Sequence, residues 1–226
     1  MCGSFYTLRG RISYIRMMFP DDVADPLVER LIEIYKRNPP ERKHVPWPPN
    51  YYVRPTNRVL AFVGNEDAEI EPREYKWGHA PSRYRSKQTL FNARGETLDD
   101  KATWHEPWHT GRCLIPARGF YEWVAKQPHA VQSPQDEPLL FAGLHRKDDG
   151  VEWCSIVTCE PSEWFSRYHN REPVVIRGDD WKRWLFDEDP PEDLIHPSAE
   201  GELEVFACSK PDTDHEPEPA RGGLFD

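Results

Sequence analysis

The sequence predicts an α+β domain built mainly of antiparallel strands with flanking helices, and three observations carry that reading. Prolines number 23 in 226 residues, which breaks up long helices and favours loops and short strands. Aromatic residues make up 12%, nine of them Trp, and supply core mass although charged residues reach 30%. Short apolar runs recur between Pro- and Gly-containing turns, and helix-periodic segments are few. The length suits one sizeable domain and is short for two, so residues 1–210 are expected to fold together, followed by an acidic, Pro-rich tail at 211–226.

Taken in order, residues 4–14 alternate loosely and predict an opening strand that anchors the N-terminus to a sheet. Residues 26–37 carry Leu27, Val28, Leu31, Ile32 and Ile34 at helical spacing, with Asp25 as N-cap and Pro26 at the first helical position. The Pro-rich stretch 38–50 reads as a surface loop. Strands are then expected at 51–53, 59–63, 114–115, 120–124, 139–144, 152–158, 174–176 and 203–207, with 114–115 and 120–124 joined by a turn through Pro116 to Gly119. Helices are expected at 162–168 and 179–186.

Charge and cysteine usage exclude several classes. No apolar run approaches the about 18 residues of a membrane span, and the N-terminus lacks a basic-then-apolar leader, so a cytoplasmic protein, nucleoid-associated if bacterial, is expected without a membrane partner. Five cysteines without CxxC spacing argue against a disulfide framework or a structural zinc site, and no metal or cofactor is expected. The net charge of −10 speaks against nucleic acid on average, but its distribution does not. Residues 75–95 contain no Asp or Glu, whereas Lys76, Arg83, Arg85, Lys87 and Arg94 alternate there with Trp77, Tyr84 and Phe91.

Reactive groups concentrate in a few places. Cys2 follows the initiator Met1, so removal of Met1 leaves an amine and a thiol on one residue. Such groups titrate at about 7.7–8.0 and about 8.5, and together they close on an aldehyde to a five-membered thiazolidine. In RCLIPARGFYEW (112–123), strand alternation puts Glu122 on the face of Phe120, opposite Tyr121 and Trp123, where desolvation would raise its pKa toward that of a general acid or base. FNARGET (91–97) crowds polar groups around a Gly, with Asn92 able to orient an amine and Arg94 able to clamp a phosphate. YHNREPVVI (168–176) places His169 and Arg171 at a strand entrance. His105-Glu106-Pro107-Trp108-His109 satisfies HExxH, the string of zinc peptidases, although Pro107 disturbs a helix and no third ligand follows at the usual spacing.

With MCG, VRPT (53–56), Trp77-Gly78, FNARGET, RCLIPARGFYEW, FAGL (141–144), SIVT (155–158) and HNREPVVI in collinear order, the chain resembles the SOS-response-associated peptidase family of abasic-site sensors. The resemblance implies a distorted, barrel-like β domain with a groove. It also implies that a terminal Cys2 captures the aldehyde of an abasic site in single-stranded DNA, or at a single-strand/duplex junction, as a covalent thiazolidine crosslink. Carried over, Asn92 holds the Cys2 terminus, Glu122 is acid/base, and His169 assists ring opening and Schiff-base chemistry. Trp77, Arg83, Arg85, Arg94 and Arg171 grip the strand. The implied protein is a monomer in the DNA-damage (SOS) response with Schiff-base, lyase-like chemistry and a possible autoprocessing protease (hydrolase) activity; a zinc metallopeptidase and a noncovalent binder of modified or single-stranded DNA are the alternatives. Departures from the family pattern fall at Ser4, Tyr52, residues 79–81 and Glu172, the last adding a carboxylate whose expected effect is to raise the His169 pKa or repel phosphate.

Overall fold

In the computed structural model, which describes residues 3–6, 13–37, 52–82 and 88–211, the apolar runs become strands whose alternate residues feed two different cores. The elements are, in chain order, β1 (Phe5–Tyr6), α1 (Ser13–Met18), α2 (Asp21–Arg37), β2 (Arg58–Gly64), β3 (Ile70–Trp77), β4 (Asn92–Arg94), α3 (His105–Thr110), β5 (Arg112–Ala117), β6 (Gly119–Val124), β7 (Gln127–Gln132), β8 (Leu139–Asp148), β9 (Val151–Cys159), β10 (Glu172–Pro173), β11 (Val175–Ile176), α4 (Asp180–Phe186) and β12 (Glu204–Ala207), with single 3-10 turns at Gly95–Thr97 and Glu192–Leu194.

Strands β9, β3, β2, β5 and β8 pair in that order, and β8 pairs back to β9, closing a five-stranded barrel. Within it β3 meets β9 in parallel and the other neighbours are antiparallel. One side chain in two from these strands, including Val59, Ala61, Cys113, Ile115, Phe141, Cys154 and Ile156, joins a single buried cluster. The alternate set, including Leu60, Phe62, Leu114, Leu140, Ala142, Trp153 and Val157, packs with residues of α1, α2, α3 and α4. A helix cannot fit inside five strands, so the second set is the barrel's outer coat and the first its filling. A second sheet, ordered β1-β6-β7-β12, lends Phe5, Phe120 and Val131 to the inner cluster.

Arg112 ties the coat together. Its buried guanidinium donates to the carbonyls of Trp108 (3.0 Å) and Trp184 (2.6 Å) and to that of Asp187, meeting the C-terminal ends of α3 and α4 with one cation.

Several sequence expectations need correction. The opening strand does not reach Tyr14: β1 ends at Tyr6, and 13–18 are helical because Tyr14, Ile15 and Met18 supply a helical stripe to the outer core. The second helix begins at Asp21, with Pro26 inside it, since Ala24 extends the buried face and the Pro20 carbonyl accepts the Ala24 amide at 2.8 Å. Residues 114–115 and 120–124 do not form a hairpin; the chain passes through Arg118 from the barrel to the second sheet, so β5 and β6 belong to different sheets. Residues 162–168 form successive turns rather than a helix. Strands β3 and β7 had no sequence signal: β3 carries Glu71, Glu74 and Lys76 on half-exposed positions and Arg73 on an exposed one, and Pro72 sits where only β2 pairs with it. The loop at 38–50 and residues 212–226 of the tail lie outside the described residues.

Candidate active site

The end of β6 that carries Glu122 is where the N-terminal chain arrives. β1 lies antiparallel on β6 with Phe5 opposite Phe120 and Tyr6 opposite Gly119. A Cβ at Gly119 would collide with the Tyr6 ring and the Val131 carbonyl, so glycine is what lets β1 approach. The Tyr121 amide then donates to the Ser4 carbonyl at 3.0 Å, which runs the described chain, from Tyr6 back to Gly3, along β6 in the direction of Glu122. Met1 and Cys2 lie outside the described residues.

Alternation along β6 is as expected. Phe120 enters the inner core, Tyr121 packs with Tyr6 and Tyr52 in a separate small cluster, and Trp123 is 43% exposed. Glu122 is 3% exposed, and burial pushes its carboxyl up to about 7. A group at that value gives and takes protons readily near neutral pH.

His169 stands beside it, Nε2 lying 4.0 Å from a Glu122 carboxylate oxygen. His169 Nδ1 lies 3.0 Å from the Arg171 amide nitrogen and 3.1 Å from the Arg171 carbonyl oxygen, contacts that hold the ring with Nε2 toward the carboxylate. The separation exceeds a hydrogen bond but keeps the two groups electrostatically coupled. Two further residues belong to this neighbourhood, and sequence reasoning missed both. His129 is the cross-strand partner of Glu122 in the β6–β7 register, and its ring lies 6.2 Å from that of Tyr168. His129 does not stand out in the sequence because β7 itself was not foreseen, and Tyr168 opens the motif read for His169 and Arg171 without a role of its own.

Asn92 opens β4, which adds in parallel to β9 with Asn92 opposite Ile156. It lines a cavity of about 430 Å³ together with Phe91, Arg94, Thr97, Lys101 and Trp104. Arg94 is exposed at that rim, as a phosphate ligand must be, and Lys101 adds a second cation.

The remaining expected contacts divide differently. Trp77 is fully buried, its indole donating to the Phe91 carbonyl at 2.8 Å and its ring set against Phe5 at 5.0 Å. It offers no face to a base; its place is inside the barrel, beneath β4. Gly78, with φ of 83°, turns the chain out after it and donates to the Cys154 carbonyl at 2.8 Å. Arg171 makes a bidentate pair with Glu96, both bonds 2.8 Å, and donates to the Thr158 carbonyl at 2.6 Å. Burial pushes the Glu96 carboxyl up, but hydrogen bonds from Arg171 and the backbone outweigh it and hold the group below the usual range. That guanidinium fixes the segment bearing His169, and a phosphate there would have to displace Glu96. Arg83 and Arg85 lie outside the described residues.

The Glu172 side chain is taken up by structural hydrogen bonds. Its fully buried carboxylate accepts the Ser198 amide at 2.8 Å, the Ser162 amide at 3.2 Å and the Ser162 hydroxyl at 3.1 Å, stapling two loops to β10. Ser4, likewise, is buried against β6 and exposes no side chain for a phosphate.

The HExxH string is helical after all: α3 begins at His105, and Pro107 lies in the first turn, where its missing N–H has no intrahelical acceptor to serve. Glu106, however, pairs with Arg146 at 3.1 Å, so the group that a metallopeptidase uses as base is engaged elsewhere.

Comparison with known proteins agrees with this architecture. The family model described as SOS response associated peptidase (SRAP) matches residues 1–211. The abasic site processing protein YobE of Bacillus subtilis is 30% identical over 178 residues, covering 71% of this chain and 81% of that protein. The abasic site processing protein YedK of Escherichia coli is 27% identical over 193 residues, covering 82% and 79%. Among solved structures, a protein from Bordetella bronchiseptica superposes with a TM-score of 0.69 at 20% identity, covering 92% of this chain and 100% of its own, which shows a shared fold.

Proposed function

Because the chain belongs to the SOS response associated peptidase family, we propose that it processes abasic sites in DNA, capturing the open-chain aldehyde covalently through Cys2 once Met1 is removed. The observation that carries the proposal is the burial of Glu122 at the end of β6 toward which the N-terminal chain runs, with His169 4.0 Å away; that burial pushes the carboxyl up to about 7. Cys2 precedes Gly3 in the sequence, and the described chain from Tyr6 back to Gly3 runs along β6 toward Glu122.

The reaction balances with these groups alone. The free α-amine adds to the sugar aldehyde, and protonated Glu122 donates a proton to the carbinolamine hydroxyl, which leaves as water to give an iminium and the Glu122 carboxylate. The Cys2 thiol passes its proton to that carboxylate as its sulfur adds to the iminium carbon, and the thiazolidine closes with Glu122 protonated again. The sum is aldehyde plus aminothiol giving thiazolidine plus one water. His169 Nε2–H supports opening of the sugar ring by donating to the ring oxygen, and Asn92 orients the amine. Arg94 and Lys101 hold the flanking phosphates of a single strand. The autoprocessing step that precedes capture is hydrolysis of the Met1–Cys2 amide, with the Cys2 thiol as nucleophile and one water consumed, releasing methionine and freeing the Cys2 amine.

Intact-mass measurement before and after mixing with an abasic oligonucleotide tests the proposal. The expected result is loss of Met1 followed by an adduct of protein plus oligonucleotide less one water, absent in Cys2→Ala although that variant still binds single strands. Adducts at the wild-type level in Cys2→Ala would show that the terminal cysteine is not the nucleophile.

A further inference from the structure

Away from Glu122, the fold assembles a second set of chemically capable side chains. His105 and His109, four apart on α3, turn the same way, their ring centroids 4.8 Å apart. Asp99 sits beneath both: its Oδ1 is 2.9 Å from His109 Nε2 and 3.7 Å from His105 Nε2. One ligand atom from each of the three residues lies within 4.8 Å of the other two. The usual search for a third ligand runs downstream of HExxH and finds none; here the carboxylate comes from upstream, returned by the turns between Thr97 and His105.

We propose that Asp99, His105 and His109 form a binding site for a divalent transition metal ion of the zinc class, held by two imidazoles and one carboxylate with an open fourth position. Tetrahedral zinc with bonds of about 2.0–2.1 Å requires ligand atoms about 3.4 Å apart. The two carboxylate–imidazole distances bracket that value and all three ligand atoms lie within 4.8 Å of one another, so rotations of the exposed side chains admit the ion. The scaffold beneath is rigid. Trp108 packs on Trp184 and Trp104 on Trp153. Arg146 bonds to the Thr103 carbonyl at 2.8 Å and to Glu106 at 3.1 Å, fixing the start of α3 to β8. The pair of imidazoles selects zinc, nickel or copper over magnesium and calcium, which prefer all-oxygen sites. All three side chains are at least 40% exposed, leaving room for water in the fourth position. Glu106 is turned to Arg146, so the site binds metal without the base of a peptidase. Asp99 also lines a cavity of about 550 Å³ with Glu96, Asp100, Glu160 and Glu192, whose acidic rim the bound ion would partly neutralise.

Calorimetric titration of Zn²⁺ into chelator-stripped full-length protein tests this, in a Cys2→Ala background so that the terminal thiol supplies no ligand. The buried Cys113, Cys154, Cys159 and Cys208 do not compete, since burial pushes their thiols up. One equivalent is expected to bind at micromolar concentration and to survive millimolar Mg²⁺. Affinity falls at least tenfold in His105→Ala/His109→Ala and in Asp99→Asn, the latter an isosteric change on an exposed residue that keeps the fold intact. Co²⁺ in place of Zn²⁺ should give the intense visible absorption of a tetrahedral site, lost in both variants. Unchanged zinc affinity in folded Asp99→Asn and the double variant, or displacement by Mg²⁺, would overturn the assignment.

Discussion

Glu122 with His169 and Asp99 with His105 and His109 bring the same functional groups together in opposite surroundings. Glu122 is almost wholly buried at the junction of two sheets, and desolvation holds its proton up to about 7. Asp99 is 61% exposed, in the turns that precede α3. A buried carboxyl that resists ionisation is suited to moving protons, whereas an exposed one beside two imidazoles is suited to holding a cation. Burial, not residue type, separates the two roles.

The largest expected effects come from Glu122→Gln. Removing an acid/base group costs about 10²-fold or more in rate, so crosslinking at pH 7 should slow by that order in single-turnover assays while single-strand affinity stays near normal. An unchanged rate would take Glu122 out of the reaction and leave the buried cluster without a chemical role. The same variant has a signature in stability. A carboxyl raised from 4.5 to about 7 on folding contributes stability below pH 4.5 that is lost as pH rises through about 7, because the folded state binds the extra proton. At pH 8 the loss is at most about 3 kcal/mol. Thermal melts of Glu122→Gln should therefore show a smaller fall between pH 4.5 and 8 than the wild type, and parallel curves would mean the group is better hydrated than its burial suggests.

Next in size is the loss of zinc affinity, at least tenfold, in the α3 variants. Glu122→Gln should leave that affinity alone, and coupling between the two would break the distinction between the clusters. The smallest effect is expected at Arg94→Ala: one exposed phosphate contact weakens single-strand binding a few-fold and lowers the slope of log affinity against log salt by about 0.7. Loss of the covalent step itself in Arg94→Ala would place that arginine in the buried cluster's chemistry.

Much of the buried cluster was legible from local pattern. Period-two alternation placed Glu122 on the Phe120 side of its strand, and the motif carrying His169 was visible as a polar entrance to an apolar strand. The exposed cluster was half visible: HExxH gave the two histidines, but Pro107 argued against a helix and Asp99 gave no signal. Trp77 and Arg171 show the limit from the other side. A Trp among cations reads as a stacking platform and an Arg beside a His reads as a phosphate ligand, yet the first fills the barrel and the second holds Glu96.

What the sequence by itself determined is therefore the strand-rich class and the alternation that sorts the candidate residues onto faces, because these follow from side-chain volume, proline content and a period of two. Tertiary structure alone decided which charges are consumed by neighbours and which carboxyl loses its water. It routed the chain from β5 into a second sheet, brought β1 along β6 to the Glu122 end, and set Glu172 between Ser162 and Ser198. Those outcomes depend on contacts between residues far apart in the chain, and desolvation and ion pairing take their values only when such contacts close.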